Sequence, residues 1–279
     1  MRARRWLVGV LLVAGAGLIL LGLTRVLDLD RLRIEAERLR RHAYVAAGMP
    51  LPGTPALGDL EKRLAAQGLE LGAPVFIRIF KLEFELEVWM KHGDRFERFA
   101  VYPICRWSGL LGPKIAEGDW QAPEGFYTVD AKALNPSSRW HRSFNLGFPN
   151  ALDRAHGRTG SYLMVHGGCS SIGCYAMTDA AIDEIWRLVS AALQRGQPRF
   201  HVHIFPFRMT DERLADRSGA PWAAFWRDLK PGYDAFEATG LPPRVSVCQG
   251  RYAVSPDQPG TAGSSPIEPG CPKATGAKT

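Results

Sequence analysis

Cysteine is scarce in this chain, at five positions in 279 residues, and no segment repeats another. A chain of this length buries enough apolar surface to fold without relying on disulfides, which excludes a cysteine-stapled miniature scaffold. Acidic residues are in deficit: 28 Asp and Glu stand against 35 Lys and Arg, a net charge of +7. That surplus favours acidic partners, but the basic residues are scattered and no nucleic-acid-binding motif occurs. Nucleic acid is therefore not an expected partner, whereas anionic lipid head groups and anionic cell-wall polymer both fit the charge. A composition of 46% hydrophobic and 23% charged residues is that of one or two globular domains.

The first 25 residues carry a separate signal. Arg2, Arg4 and Arg5 precede a 17-residue run, Leu7 to Leu23, with no charge and no proline, and Arg25 closes it. The run is short for a membrane-spanning helix and long for a signal-peptide core. Its Ala-x-Ala, at Ala14 and Ala16, lies inside the apolar stretch, so cleavage there would leave an apolar terminus. An uncleaved signal-anchor over residues 1–25 is expected, with a cleaved signal peptide as the alternative. The leading arginines keep the N-terminus inside the cell and put the rest beyond the inner membrane, in an oxidising space. Cysteines there tend to pair, and an odd count leaves one over. Connectivity stays open at this level. Cys248 with Cys271 is one pairing and Cys105 with Cys169 another, the latter leaving Cys174 as a free thiol.

Residues 26–69 read as stalk and linker. The stretch 28–48 is charged and helix-prone, Pro50, Pro52, Gly53 and Pro55 break it, and a short helix follows over roughly 57–67. In VFIRIFKLEFELEVWM at 75–90, Ile77 and Ile79 alternate with Arg78, then Phe84, Leu86 and Val88 with Glu83, Glu85 and Glu87. The phase slips near Phe80, which gives two paired strands or one bulged strand. Further strands are expected at 96–104, 125–130, 161–165 and 199–205. One helix is clear: Ile182, Ile185, Trp186, Val189 and Leu193 recur at helical spacing behind a Thr178 or Asp179 cap, ending near Gly196. A C-terminal extension at 211–252 leads to a tail, 253–279, rich in Pro, Gly, Ser and Thr and expected to be disordered. The fold class is mainly β with peripheral helices, α+β.

The chemistry concentrates in HGGCSSIGCYAMT at 166–178. His166 follows the apolar strand SYLMV, a rigid platform for a base. Cys174 comes just before the clear helix, whose positive end would favour a thiolate, and Gly173 lets the chain bend sharply. A cysteine nucleophile needs a base for its proton and backbone N–H donors for the oxyanion formed on attack. Cys169, in mid-loop, is the weaker candidate.

GSYLMVHGGCSSIGCYAMTD resembles the active-site segment of the L,D-transpeptidase (YkuD-type) catalytic domain, a histidine-glycine pair followed by Ser-x-Gly-Cys, and most closely its YafK-type branch. The resemblance covers about 70–210. It includes FIRIFK (76–81), YPICRWSG (102–109), LGPKIAEGDWQAPEGFY (111–127), FNLGFPNALDRAHGRTGS (144–161) and HIFPFRMT (203–210). It implies a β-sandwich catalytic domain with Cys174 as nucleophile and His166 as general base and later acid. Gly167, Ser171 and Gly173 would shape the loop, and the N–H groups of Gly173 and Cys174 would form the oxyanion hole. Gly125, in the Pro123-Glu124-Gly125 turn, is structural or pocket-lining, and Tyr175, His156 and Arg158 are candidate substrate contacts. The implied substrate is a diaminopimelate-containing peptidoglycan stem peptide, held as a thioester that an amine or water resolves. Here only four residues separate His166 from Ser171, x is Ile172, and the basic or amide side chain usual two positions after the cysteine is Ala176. These departures belong to the YafK-type branch. That branch includes amidases releasing a lipoprotein of the outer membrane from diaminopimelate, so lipoprotein-linked wall is the alternative substrate.

No cofactor is called for. His201-x-His203 resembles half of a zinc site, but no Asp stands seven residues after His141, His156 or His166, and a polar face or pocket wall fits better. GCSSIG is not the Gly-x-Ser-x-Gly of a serine-hydrolase elbow. Trp107 and Trp120 are either groove-lining or buried aromatics.

Overall fold

The computed structural model describes residues 29–257, 261 and 263–271. The expected signal-anchor, residues 1–25 with its apolar run 7–23, lies outside them, and no described helix is long and apolar enough to cross a membrane. The chain divides into units 1–40 and 41–279. Helix α1 (Leu29–Ala46) occupies the charged stretch and crosses that division. Within the first unit its surface carries Glu35–Arg38 and Glu37–Arg40 ion pairs at 2.7 Å, one turn apart.

The second unit is built on two five-stranded sheets. The first has the order β3-β2-β1-β10-β5, from β1 (Val75–Phe80), β2 (Glu85–His92), β3 (Arg95–Pro103), β5 (Gly125–Val129) and β10 (Phe200–Phe205). The second has the order β4-β9-β8-β7-β6, from β4 (Arg106–Trp107), β6 (Leu134–Ser138), β7 (His141–Asn145), β8 (Met164–His166) and β9 (Tyr175–Ala176). Phe144 of β7 meets Phe200 of β10 edge to face at 5.5 Å, and Phe84 meets Trp107 at 5.3 Å, so the sheets share one core. Short helices α2 (Leu60–Ala66) and α3 (Ala151–Ala155) lie in the connections, and α4 (Asp179–Gln194) packs against β7 and β1. Thr178 caps α4 by accepting the N–H of Ala181, and Ile182, Ile185, Trp186 and Val189 form its buried stripe. Helices α5 (Asp211–Ala215) and α6 (Ala223–Thr239) follow β10, and β11 (Arg244–Cys248) pairs with β12 (Arg251–Ser255).

One expectation is decided and another needs correction. The phase slip near Phe80 is a reversal between two paired strands, the first of the two readings: β1 and β2 are antiparallel partners, Phe80 opposite Glu85, and a bulge lies further on, between Val88 and Trp89. Every residue of β1 is buried, including Arg78, because α6 covers the face that alternation would have left wet. Arg78 is held there by Glu237 at 2.6 Å and by the rings of Tyr233 and Phe236. The correction concerns the tail. The boundary at 253 falls inside β12, and residues 263–271 are tied back by a Cys248–Cys271 disulfide and a bridge from Val247 to Pro269. Composition alone misjudges a segment held by a covalent bond.

His201 and His203 are fully buried in β10 rather than on an open polar face: His201 Nε2 bonds the Ser265 carbonyl at 2.6 Å and its Nδ1 faces His203 Nε2 at 3.3 Å. Burial pushes His201 down to about 4 and His203 well below the ordinary histidine range, with Arg78 and Arg199 adding to the effect and Asp257 opposing it. Both are therefore neutral in the folded protein near pH 7, while the unfolded chain takes up their protons below about pH 6.5. Folding stability is expected to fall as pH drops from about 6.5 towards 4, by up to about 3 kcal/mol for His201 alone. Denaturant titrations at pH 7.5 and 5.0 check this, and His201→Gln should flatten the difference.

Candidate active site

Cys174 and His166 are brought together by strand register. β8 and β9 pair in parallel with Val165 opposite Tyr175 and His166 opposite Ala176, so Met164 stands opposite Cys174. Side chains alternate between faces along a strand. Val165 and Tyr175 therefore point into the core, where both are fully buried, and Cys174 and His166 share the other face as diagonal neighbours. Gly173 makes the approach possible: its φ of 103° is strained for any side chain, and a Cβ there would meet Leu163 at 3.2 Å.

The imidazole of His166 is oriented by its own loop. Nδ1–H donates to the Gly167 carbonyl at 2.6 Å, which leaves the Nε2 lone pair as the basic position. Burial holds His166 below the ordinary histidine pKa, so the ring is neutral near pH 7. Trp140 flanks it, with ring centroids 6.0 Å apart. The partly buried Cys174 is pushed above the usual thiol pKa by burial, against the opposing pull of the Met164 N–H and the Lys114 ammonium. Its Sγ accepts the Met164 N–H at 3.4 Å and donates to the Tyr162 carbonyl at 3.8 Å. The resting pair is a thiol and a neutral imidazole, suited to base-assisted attack rather than to a standing thiolate.

The expectation of a thiolate stabilised by the helix end is thereby corrected. β9 and the Thr178 cap separate Cys174 from α4, and a helix dipole acts only within about a turn of its end. The expected oxyanion donors are also engaged. The Cys174 N–H donates to Ser171 Oγ at 3.1 Å and the Gly173 N–H to Ser108 Oγ. Ser171 in turn donates to the Cys174 carbonyl at 2.7 Å, so the 3.2 Å contact between the two hydroxyls carries the Ser108 proton. Ser108 is the residue that sequence reading missed. It lies in the YPICRWSG stretch, 65 residues before Gly173, and nothing in its neighbourhood announces the contact.

A disulfide joins Cys105, at the start of β4, to Cys169 of the loop between His166 and Cys174; Cys174 is the free cysteine. Gly167 sits where a Cβ would strike Asp179 Oδ1 at 2.6 Å, and that carboxylate accepts the Gly168 N–H at 2.8 Å. The remaining candidates take structural places instead. Tyr175 points inward, its hydroxyl donating to the Pro123 carbonyl at 2.6 Å. A Cβ on Gly125 would meet the Tyr252 hydroxyl at 2.5 Å, so that glycine serves packing. Arg158 is buried against Asp153 at 2.8 Å, and His156 Nε2 donates to the Gly250 carbonyl at 2.8 Å, tying α3 to the turn between β11 and β12. Trp107 is buried, whereas Trp120 is 67% exposed.

The L,D-transpeptidase catalytic domain family, YkuD, matches residues 89–221, a span that holds both His166 and Cys174. The chain is 52% identical over 185 residues to YafK of Escherichia coli K12, a protein named as an L,D-transpeptidase, covering 66% of this chain and 75% of YafK. This chain belongs to the YkuD L,D-transpeptidase family. Among solved structures it is similar to the helical cell shape determining protein Pgp2 of Campylobacter jejuni, at 20% identity and a TM-score of 0.40, covering 64% of this chain and 63% of that one. For Bd1075 of Bdellovibrio bacteriovorus the identity is 17%, the TM-score 0.35 and the coverage 59% of each chain. The chain thus spans under two thirds of the length of either structure.

Two outcomes follow for this YkuD domain. Without reductant the unfolded protein is expected to titrate one thiol, and after reduction five; three unreduced thiols would show that one of the two disulfides does not form. Ser108→Ala removes the acceptor for the Gly173 N–H and should cost about 1–3 kcal/mol in denaturant titrations, with Ser108→Thr retaining most of it.

Proposed function

We propose that this protein is a periplasmic cysteine acyltransferase of peptidoglycan, with Cys174 as nucleophile and His166 as general base. The reading rests on the family and on one geometric observation: the two side chains share a face of adjacent strands, with the His166 Nε2 lone pair left for the thiol proton. Cys174 turns from the Tyr162 carbonyl towards His166, gives its proton to Nε2, and attacks the carbonyl carbon of a stem-peptide acyl group. The oxyanion requires the Gly173 and Cys174 N–H groups, which Ser108 and Ser171 release as the carbonyl oxygen replaces their hydroxyls. As the tetrahedral intermediate collapses, the departing amine takes the proton from His166 and a thioester remains. Water or a second amine, deprotonated by the same imidazole, then attacks the thioester and restores the thiol. Residues 1–25 are proposed to hold the enzyme at the inner membrane, with α1 as a stalk and 70–210 as the catalytic domain.

One observation favours water as the final acceptor, and with it an amidase acting on lipoprotein-linked wall. Ala176 is fully buried in β9 and brings no charge or amide to hold an incoming amine. Purified protein incubated with muropeptides and with lipoprotein-bearing wall separates the outcomes: exchange products or crosslinks mark transfer, and free lipoprotein marks hydrolysis.

Mass spectrometry of the enzyme after mixing with donor is expected to show the acyl mass on Cys174. Cys174→Ala abolishes it, and His166→Ala lowers the rate by roughly 10²–10⁴. The base works deprotonated and its pKa is depressed, so the acid limb of the acylation rate should lie below pH 6.5. An adduct on another residue, or full activity in Cys174→Ala, would refute the proposal.

A further inference from the structure

A groove of about 450 Å³ opens beside Cys174 along the ends of both sheets. Tyr162 and Met164, whose carbonyl and N–H touch Cys174 Sγ, form part of its wall. The rest includes Arg199 at the approach to β10, Lys132 in the turn after β5, and Asn135 and Asn145 from β6 and β7.

The groove is rich in uncommitted donors. Neither the Arg199 guanidinium nor the Lys132 ammonium has an ion-pair or hydrogen-bond partner among the described residues. Asn135 and Asn145 spend their Oδ1 atoms on the N–H groups of Ser137 and Gly147, which leaves their amide nitrogens to donate. The groove's one carboxylate, Asp130, uses Oδ1 to accept the Lys132 and Ala133 N–H groups. Lys114, the cation felt by Cys174, does not line the groove and is already paired with Asp119. A planar guanidinium, an ammonium and two amide donors in one groove match a carboxylate, which accepts bidentately and brings the missing negative charge.

We propose that this groove seats a free carboxylate of the acyl donor, with Arg199 and Lys132 as its anchors, and so sets which wall peptides reach Cys174. The inference rests on the acyl-enzyme reading of Cys174. Two carboxylates of a stem tetrapeptide flank the reacting carbonyl and present this chemistry there: the one at the far end of the diamino acid side chain, and the terminal one on the departing residue. Binding energy from a charge remote from the reacting carbonyl is felt by bound substrate and transition state alike, so KM rather than kcat should respond.

The test measures thioester formation with a synthetic tetrapeptide donor in the full-length enzyme, and binding of that donor to the Cys174→Ala protein by calorimetry. Arg199→Gln and Lys132→Gln are each expected to raise KM and weaken binding about tenfold with kcat within about twofold, and Arg199→Lys to recover part of the loss. Donors amidated at one carboxylate or the other identify the source: the arm whose amidation makes wild type and Arg199→Gln equal carries the recognised group. Unchanged KM and binding in both glutamine variants, or a loss confined to kcat, would overturn the proposal. So would discrimination that survives amidation of either carboxylate. Arg199-dependent binding without any thioester in the wild type would instead refute the acyl-enzyme reading and leave the groove standing.

Discussion

A buried ion pair away from Cys174 sets the frame of the catalytic unit. Lys81, just beyond the end of β1, and Glu124, just before β5, are both fully buried, 2.9 Å apart. Lys81 also donates to the carbonyls of Leu110, Gly112 and Ala122, while Glu124 accepts from the Gly112 N–H and from Trp226 Nε1. Two charges taken out of water are tolerable only when every donor and acceptor finds a partner, and these groups find theirs in one loop and in Trp226 of α6. That loop, 108–124, begins with Ser108, which holds the Gly173 N–H, and carries near its end Pro123, which accepts the Tyr175 hydroxyl. The cysteine is gripped from both sides by a loop anchored in the centre of the first sheet.

Burial also sets the electrical state of His166 and Cys174. It lowers His166 and raises Cys174, so each rests neutral. The Cys105–Cys169 bond fixes the chain between the two residues, where Cys169 holds a positive φ of 49°. Tyr162, at φ 55°, turns a carbonyl towards the sulfur and is 73% exposed at the mouth of the groove. Strained backbone and exposed aromatic surface thus gather beside the free thiol, while Val165 and Tyr175 beneath it are fully buried.

Much of this was legible in the chain. The apolar period and cap of α4, the paired strands of 75–90 and the run before His166 are local signals, read from neighbours within a few residues. Cys174 and His166 were picked out for the same reason: nine residues, 166–174, hold the whole motif. The partners of Tyr175, Gly125, His156 and Arg158, namely Pro123, Tyr252, Gly250 and Asp153, were not legible because they depend on which way the chain turns. Alternation set Arg78 on the face opposite Ile77 and Ile79, and α6, more than a hundred residues later, covers that face too.

The sequence by itself determined the family and the identity of the candidate nucleophile and base, since these rest on residue type and short-range spacing, whereas the β8–β9 register that puts the two on one face belongs to the fold. Tertiary structure alone decided that Ser108 meets Gly173, that Cys105 reaches Cys169, that the tail folds back, and that Arg199 and Lys132 border the groove beside Cys174. Each of those joins residues dozens of positions apart, and the free energy selecting them comes from burying shared surface and satisfying polar groups there, a quantity defined only once the sheets have packed.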